Sequence, residues 1–165
     1  MLGAKGKTMH EPSASARTEV DASPAEVYAL VSDLPEMSRL TEELHGGSWV
    51  GGLREAAVGA RFRGRNKHAW RRWSTTATVT DAEPGRRFAF EVRSVAGIPV
   101  ARWQYDLEPA GAGCRVEERT WDRRPAWFRP VANLLTGTRD RAERNRGNME
   151  QTLRRLKATV EADGG

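Results

Sequence analysis

GARFRGRNKHAWRRWSTTATVTDAEPGRRFAFEV, residues 59–92, decides the fold. Successive side chains of an extended strand point to opposite faces, so its reading turns on parity. Arg61, Arg63, Arg65 and Lys67 fall on one face; Phe62, Gly64, Asn66 and His68 fall on the other. Trp73, Thr75, Ala77 and Val79 share a face, and Phe88, Phe90 and Val92 alternate with polar neighbours. EPGR at 83–86 supplies a turn. One apolar and one charged face describe an antiparallel sheet that is wet on one side.

Toward the C-terminus the pattern continues. After a turn at 97–99, Trp103, Tyr105 and Leu107 alternate with Gln104, Asp106 and Glu108. EPAGAG at 108–113 is a hairpin turn, and Cys114, Val116, Glu118 and Thr120 then oppose Arg115, Glu117 and Arg119. RRPAWFRP at 123–130 breaks the strand pattern. Helix resumes near 131, Gly137 interrupts it, and a long helix over 138–162 carries the stripe Ala142, Asn145, Met149, Leu153, Leu156 and Val160.

Toward the N-terminus, GGSWVGG at 46–52 reads as a short strand flanked by glycines, with His45 in the loop before it. Ser23 is an N-cap, Pro24 fits the first helical position, and Glu26 lies in the first turn. Val27, Leu30 and Val31 form the buried stripe of that helix, which Pro35 ends while opening a second over 36–44. A short strand at 17–21 precedes both. The expected architecture is α+β: a curved antiparallel sheet of about seven strands around a long C-terminal helix, with two short helices after strand one. One helix laid across a curved sheet leaves space beneath it. The expected organisation is a disordered arm over 1–14 that includes His10 and Met9, one domain over 15–162, and a tail over 163–165.

At 165 residues the chain fits one domain, able to bury roughly 70% of its unfolded surface. The net charge of +5 is carried almost wholly by arginine, since only Lys5, Lys7, Lys67 and Lys157 are lysines. A basic surface favours weak contact with anionic membranes or nucleic acid, but no motif with a mechanism predicts specific nucleic-acid binding. Cys114 is the only cysteine, which excludes an intramolecular disulfide and a thiolate zinc site and fits a cytoplasmic location. No apolar run approaches the roughly 20 residues that cross a bilayer. His10, His45 and His68 fall in no metal-ligand spacing, and neither a G-x-S-x-G elbow nor a phosphate loop is present; neither a metal nor a cofactor is expected.

Five stretches resemble the START-like (SRPBCC, helix-grip) superfamily, within it the polyketide cyclase/dehydrase and lipid-transport group. They are VDASPAEVYALVSDLPEMSRL at 20–40, GARFRGRN at 59–66, WSTTATVTDAEPGRRFAFEV at 73–92, WQYDLEPAGAGCRVEER at 103–119 and NMEQTLRRLKATVE at 148–161. The resemblance covers about 15–162. It implies the helix-grip fold and an internal cavity for a hydrophobic molecule. It also implies that Trp127 and Phe128 lie near a cavity mouth. It leaves function open, because such folds serve carriers, receptors and enzymes alike.

The candidate site follows from parity. Asn66, Trp73, Thr75 and Glu118 are polar or amphipathic groups on inward faces, and Asn145 interrupts the helix stripe beside Met149. Either they satisfy one another, with Asn145 or Asn66 on Glu118, or they orient a ligand among Phe88, Phe90, Trp103 and Tyr105. Glu118 is the single candidate acid or base, its pKa raised by burial. The first functional reading is a carrier or sensor of a small hydrophobic ligand such as a lipid, isoprenoid or polyketide. The alternative is a polyketide cyclase, aromatase or dehydratase. Arg61, Arg63, Arg65, Lys67, Arg71 and Arg72 form a basic cluster without acids: a solvated face that blocks edge pairing, or a dock for a membrane or an anionic carrier protein. The chain is expected to be a monomer or a homodimer.

Overall fold

The computed structural model describes residues 11–52 and 55–163. Most of the expected arm, with Met9 and His10, and the last two residues of the tail lie outside the described residues. Strand β1 (Ala14–Val20) leads into helices α1 (Pro24–Val31) and α2 (Leu34–Leu40). Strands β2 (Leu44–Trp49), β3 (Arg61–His68), β4 (Arg71–Glu83), β5 (Arg87–Ser94), β6 (Pro99–Ala110) and β7 (Gly113–Asp122) follow. Helices α3 (Phe128–Thr136) and α4 (Arg141–Asp163) complete the chain. All seven strands form one antiparallel sheet in the order β1-β7-β6-β5-β4-β3-β2. The sheet and long C-terminal helix are those expected from strand parity and the helical stripe, and together they form the helix-grip fold that the resemblance implied.

Local chemistry sets the element ends. Ser23 accepts from the Glu26 backbone N–H, and Glu26 accepts from the Ser23 N–H, a reciprocal box that starts α1. The second helix differs from the expected 36–44. Asp33 caps it by accepting from the Glu36 N–H, and Thr41 is already extended, so α2 begins before Pro35 and ends at Leu40. His45 therefore lies within β2 rather than in a loop. Strand β1 starts at Ala14, which pairs with Thr120 and is buried; Ser13 bonds to β7 as well, so both belong to the folded part rather than to the arm. Gly137 ends α3 in the left-handed region at φ 74°, a conformation glycine takes without strain.

The concave face carries the core. Val27 and Val31 of α1, Leu34 and Met37 of α2, and Phe62, Val79, Phe88, Leu107 and Val116 of the sheet pack with Leu153, Leu156 and Val160 of α4. Register shifts leave Thr80 of β4 and Val100 of β6 unpaired as bulges, and a bulge bends its strand. On the convex face, Arg102 binds Thr80, Asp81 and Gln104, while Arg87 and Arg119 flank Asp106. By contrast, Arg61, Arg63, Arg65, Lys67 and Arg72 form no salt bridge among the described residues. Arg71 leaves that cluster: its guanidinium lies over the Trp70 ring and against Gly137.

Candidate functional site

The two halves of α4 meet the sheet differently. Leu153, Leu156 and Val160 seal against the core. Nearer its N-terminus, Arg141, Asn145, Asn148, Met149 and Thr152 roof a cavity of about 160 Å³. That is room for on the order of ten waters. Its floor is the concave side of β3 to β7: Phe62, Gly64, Asn66, Trp73, Thr75, Ala77, Phe90, Val92, Trp103, Tyr105 and Glu118. Gly64 lets Leu44 pack closely over the floor, since a Cβ there would lie 2.7 Å from Leu44 Cδ1.

Nine of the ten expected site residues line this cavity: Asn66, Trp73, Thr75, Phe90, Trp103, Tyr105, Glu118, Asn145 and Met149. Phe88 does not. It sits at the opposite end of β5, edge-on to Tyr28 of α1 with ring centroids 6.3 Å apart, and is fully buried core. Parity placed its side chain on the correct face but could not say how far along the strand the cavity reaches.

Glu118 is the chemical centre of the cavity. It is 2% exposed, and Tyr105 Oη donates to its Oε1 at 2.8 Å. Its Oε2 has no partner among the described residues. Burial raises its pKa to about 8, against the opposing effect of the Tyr105 hydrogen bond. Burial and the adjoining carboxyl push the Tyr105 hydroxyl up as well. At neutral pH Glu118 is therefore mainly a carboxylic acid. With Oε1 accepting from tyrosine, the proton belongs on Oε2, a donor without an acceptor. An unmet polar group inside a cavity is what a ligand's carbonyl or hydroxyl oxygen would complete.

The remaining polar groups are distributed differently from expectation. Asn66 Nδ2 donates to Thr75 Oγ1 at 2.9 Å, a cross-strand pair on the floor. Neither Asn66 nor Asn145 bonds to Glu118; tyrosine takes that place. Asn145 is buried in the roof, and its side chain makes no hydrogen bond among the described residues. Cys114 is buried in the core, and burial raises its thiol pKa, which suits packing rather than nucleophilic work.

Charged residues of the cavity lining were missed in the sequence. Glu43 accepts both guanidinium nitrogens of Arg141 at 2.8 Å and Arg144 Nε at 3.2 Å. Buried Arg124, also in the lining, grips Asp122 and donates to Asn133 Oδ1 of α3 at 2.9 Å. Burial works to raise the Asp122 carboxyl; the bonds and charge of Arg124 outweigh it and hold it below its ordinary value. A signal did exist for the roof. Arg141, Asn145, Asn148 and Thr152 recur at spacings of four, three and four, a polar stripe beside the apolar one. Reading Ala142 into the stripe hid it; Ala142 is exposed. Among the described residues no three His, Cys, Asp or Glu side chains gather as metal ligands would, and no helix is long and apolar enough to cross a membrane.

Comparison with known proteins agrees with this fold. The family model described as polyketide cyclase / dehydrase and lipid transport matches residues 11–161. No curated protein is similar in sequence. Protein CV1439 from Chromobacterium violaceum superposes with a TM-score of 0.64 at 17% identity, covering 90% of this chain and 98% of that one. The polyketide-cyclase-like protein Cgl2372 from Corynebacterium glutamicum gives a TM-score of 0.57 at 26% identity, covering 94% and 95%. The di-domain ARO/CYC StfQ of the steffimycin biosynthetic pathway gives 0.70 at 13% identity, covering 92% of this chain and 51% of that one.

Proposed function

This chain belongs to the polyketide cyclase/dehydrase and lipid-transport family, and we propose that it binds a small hydrophobic molecule in the cavity beneath α4, as a carrier or sensor. One observation carries this reading: an apolar cavity with a buried carboxyl group whose Oε2 lacks a partner. The aromatic and aliphatic walls favour an apolar body, and the Glu118 O–H selects an oxygen on that body. Asn145, unbonded in the roof, offers a second polar contact from the opposite side. Native mass spectrometry of gently purified protein tests the reading. A co-purified hydrophobic species, or a thermal shift with a lipid or aromatic ketone, is the expected result. Absence of both across a broad panel would overturn it.

A second reading, cyclisation of a poly-β-ketone, is favoured by one feature: an acid with a pKa of about 8 inside an apolar cavity. The fold likeness to an ARO/CYC protein suits it. In such a ring closure a carbon–carbon bond forms between an enol carbon and a carbonyl carbon. Glu118 gives its proton to the carbonyl oxygen and regains one from the enol hydroxyl, so no co-reactant is consumed. Glu118→Gln should then abolish turnover while preserving binding. Turnover unchanged in this variant would remove Glu118 from the chemistry.

A further inference from the structure

We propose that α3 and the tip of the β3–β4 hairpin seat this protein on an anionic lipid surface. The proposal is independent of what the cavity holds. It starts from an arrangement that core packing does not explain. Trp127, Val131, Leu134 and Leu135 lie 66%, 46%, 74% and 63% exposed. Their spacing of four, three and one puts them on a single face of α3, while Ala132 faces inward and is buried. The helix is thus amphipathic with its larger apolar side outward, the reverse of a helix that serves a core.

The hairpin tip adds to the same surface. Trp70 is 79% exposed, and Ala69 before it holds a left-handed φ of 54°, a conformation that disfavours a residue with a Cβ. The tip is fastened beside α3 in two ways. His68 Nδ1 lies 2.8 Å from the Thr136 carbonyl oxygen, and Arg71 packs against Gly137 while covering the Trp70 ring. Two tryptophans therefore flank an aliphatic patch, the amphipathic ring type that settles at a membrane interface.

Charge decides between a lipid surface and a protein. From Arg123 to Arg146 the chain carries seven arginines against only Asp140 and Glu143. Arg124, Arg141 and Arg144 are paired with Asp122 or Glu43. Arg123, Arg129, Arg139 and Arg146 are exposed and form no salt bridge among the described residues. A second copy would bring the same positive ring against its own. A nine-residue helix is only about 14 Å long, a small stripe against the roughly 800 Å² per partner that a stable protein interface buries. An anionic bilayer meets both needs, with phosphates for the arginines and acyl chains for Leu134 and Leu135. Through Arg124 and Asn133, α3 is tied to the cavity wall, so this seating would turn that wall of the cavity toward the lipid surface.

Co-sedimentation of the full chain with vesicles tests the proposal. Vesicles of phosphatidylcholine with phosphatidylglycerol should carry the protein down; pure phosphatidylcholine should not. Raised salt should weaken the association. Leu134→Ser/Leu135→Ser should lower the bound-to-free ratio roughly tenfold or more, since two buried apolar side chains are lost from the contact. Both leucines are exposed, so circular dichroism and the thermal midpoint should not move. Failure of the wild-type chain to bind anionic vesicles would overturn the proposal. So would equal binding by the double variant, which would reduce the contact to charge alone. Sedimentation velocity separates the other occupant: self-association abolished by the same variant, without vesicle binding, would assign the patch to a second copy.

Discussion

Replacing Glu118 by glutamine should remove a pH dependence from the folding stability. Glutamine keeps the shape and the oxygen that accepts from Tyr105, but it cannot ionise. In the wild-type chain the folded carboxyl has a pKa of about 8, against an ordinary value of 4.5. The folded state thus holds the proton more tightly than the unfolded chain. That contribution is fully present below 4.5, shrinks as the unfolded state ionises, and is lost as pH rises through about 8. Each unit within the window is worth about 1.4 kcal/mol, giving about 3 kcal/mol by pH 7 and about 5 kcal/mol across the whole window. The variant should lack this slope. Relative to wild type it should gain about 3 kcal/mol between pH 4.5 and 7, a relative rise in thermal midpoint of about 6–12 °C. Urea unfolding of both proteins at several pH values measures it. Comparing slopes cancels any constant cost of burying the amide NH₂, and it cancels every other titrating group common to both chains. Parallel curves from pH 5 to 8 would show that Glu118 ionises normally in the folded state, and the argument for a neutral acid in the cavity would fail.

Tyr105→Phe leaves both carboxyl oxygens of Glu118 unpartnered and should cost about 1–3 kcal/mol in urea unfolding; because that hydrogen bond lowers the Glu118 pKa, the pH slope should also extend further into the alkaline range. Met149→Ala enlarges the cavity from its roof and should cost about 2–5 kcal/mol, while admitting bulkier hydrophobic probes in a dye-displacement titration. Gly47→Ala places a Cβ 2.2 Å from the Arg63 carbonyl oxygen and 2.7 Å from the Phe62 ring, so soluble yield and thermal midpoint should both fall sharply. Glu43→Gln disarms the bidentate Arg141 pair and should loosen the start of α4 over the cavity, seen as faster amide exchange in the first turn of α4.

The sheet was legible because parity is a strict rule. One face of each of β3 to β7 had to meet the core, and alternation announced which, placing seven of the eight expected sheet residues at the cavity, while the helical stripe placed Asn145 and Met149. Contacts between remote segments carry no such rule. Glu43 reaches Arg141 across 98 residues, and nothing periodic links the short segment between α2 and β2 to the start of α4. The Tyr105–Glu118 pair was within reach, since the two residues face each other across the β6–β7 register. Fixing that register from sequence meant counting back from the hairpin at 111–112, where Ala110 pairs with Gly113. Phe88 failed for a different reason: parity gives a face, not a depth along the strand.

The cavity itself traces to one uneven helix. In α4, Met149, Leu153, Leu156 and Val160 form an apolar line, while Arg141, Asn145, Asn148 and Thr152 form a polar line beside it. Toward the C-terminus only the apolar line faces the sheet, and burial of Leu153, Leu156 and Val160 closes the gap. Toward the N-terminus the polar line turns inward, and its groups lack complementary partners on the floor. Asn145 faces a floor on which Asn66 Nδ2 already donates to Thr75 and Glu118 Oε1 already accepts from Tyr105. Desolvating the Asn145 amide against that floor without a hydrogen bond would cost about 1–3 kcal/mol. Replacing Asn145 by leucine removes that obstacle. Asn145→Leu should raise the thermal midpoint and shrink the cavity, with loss of binding for any ligand that uses the roof; a midpoint that falls instead would show that Asn145 is satisfied by water and not a cause of the opening.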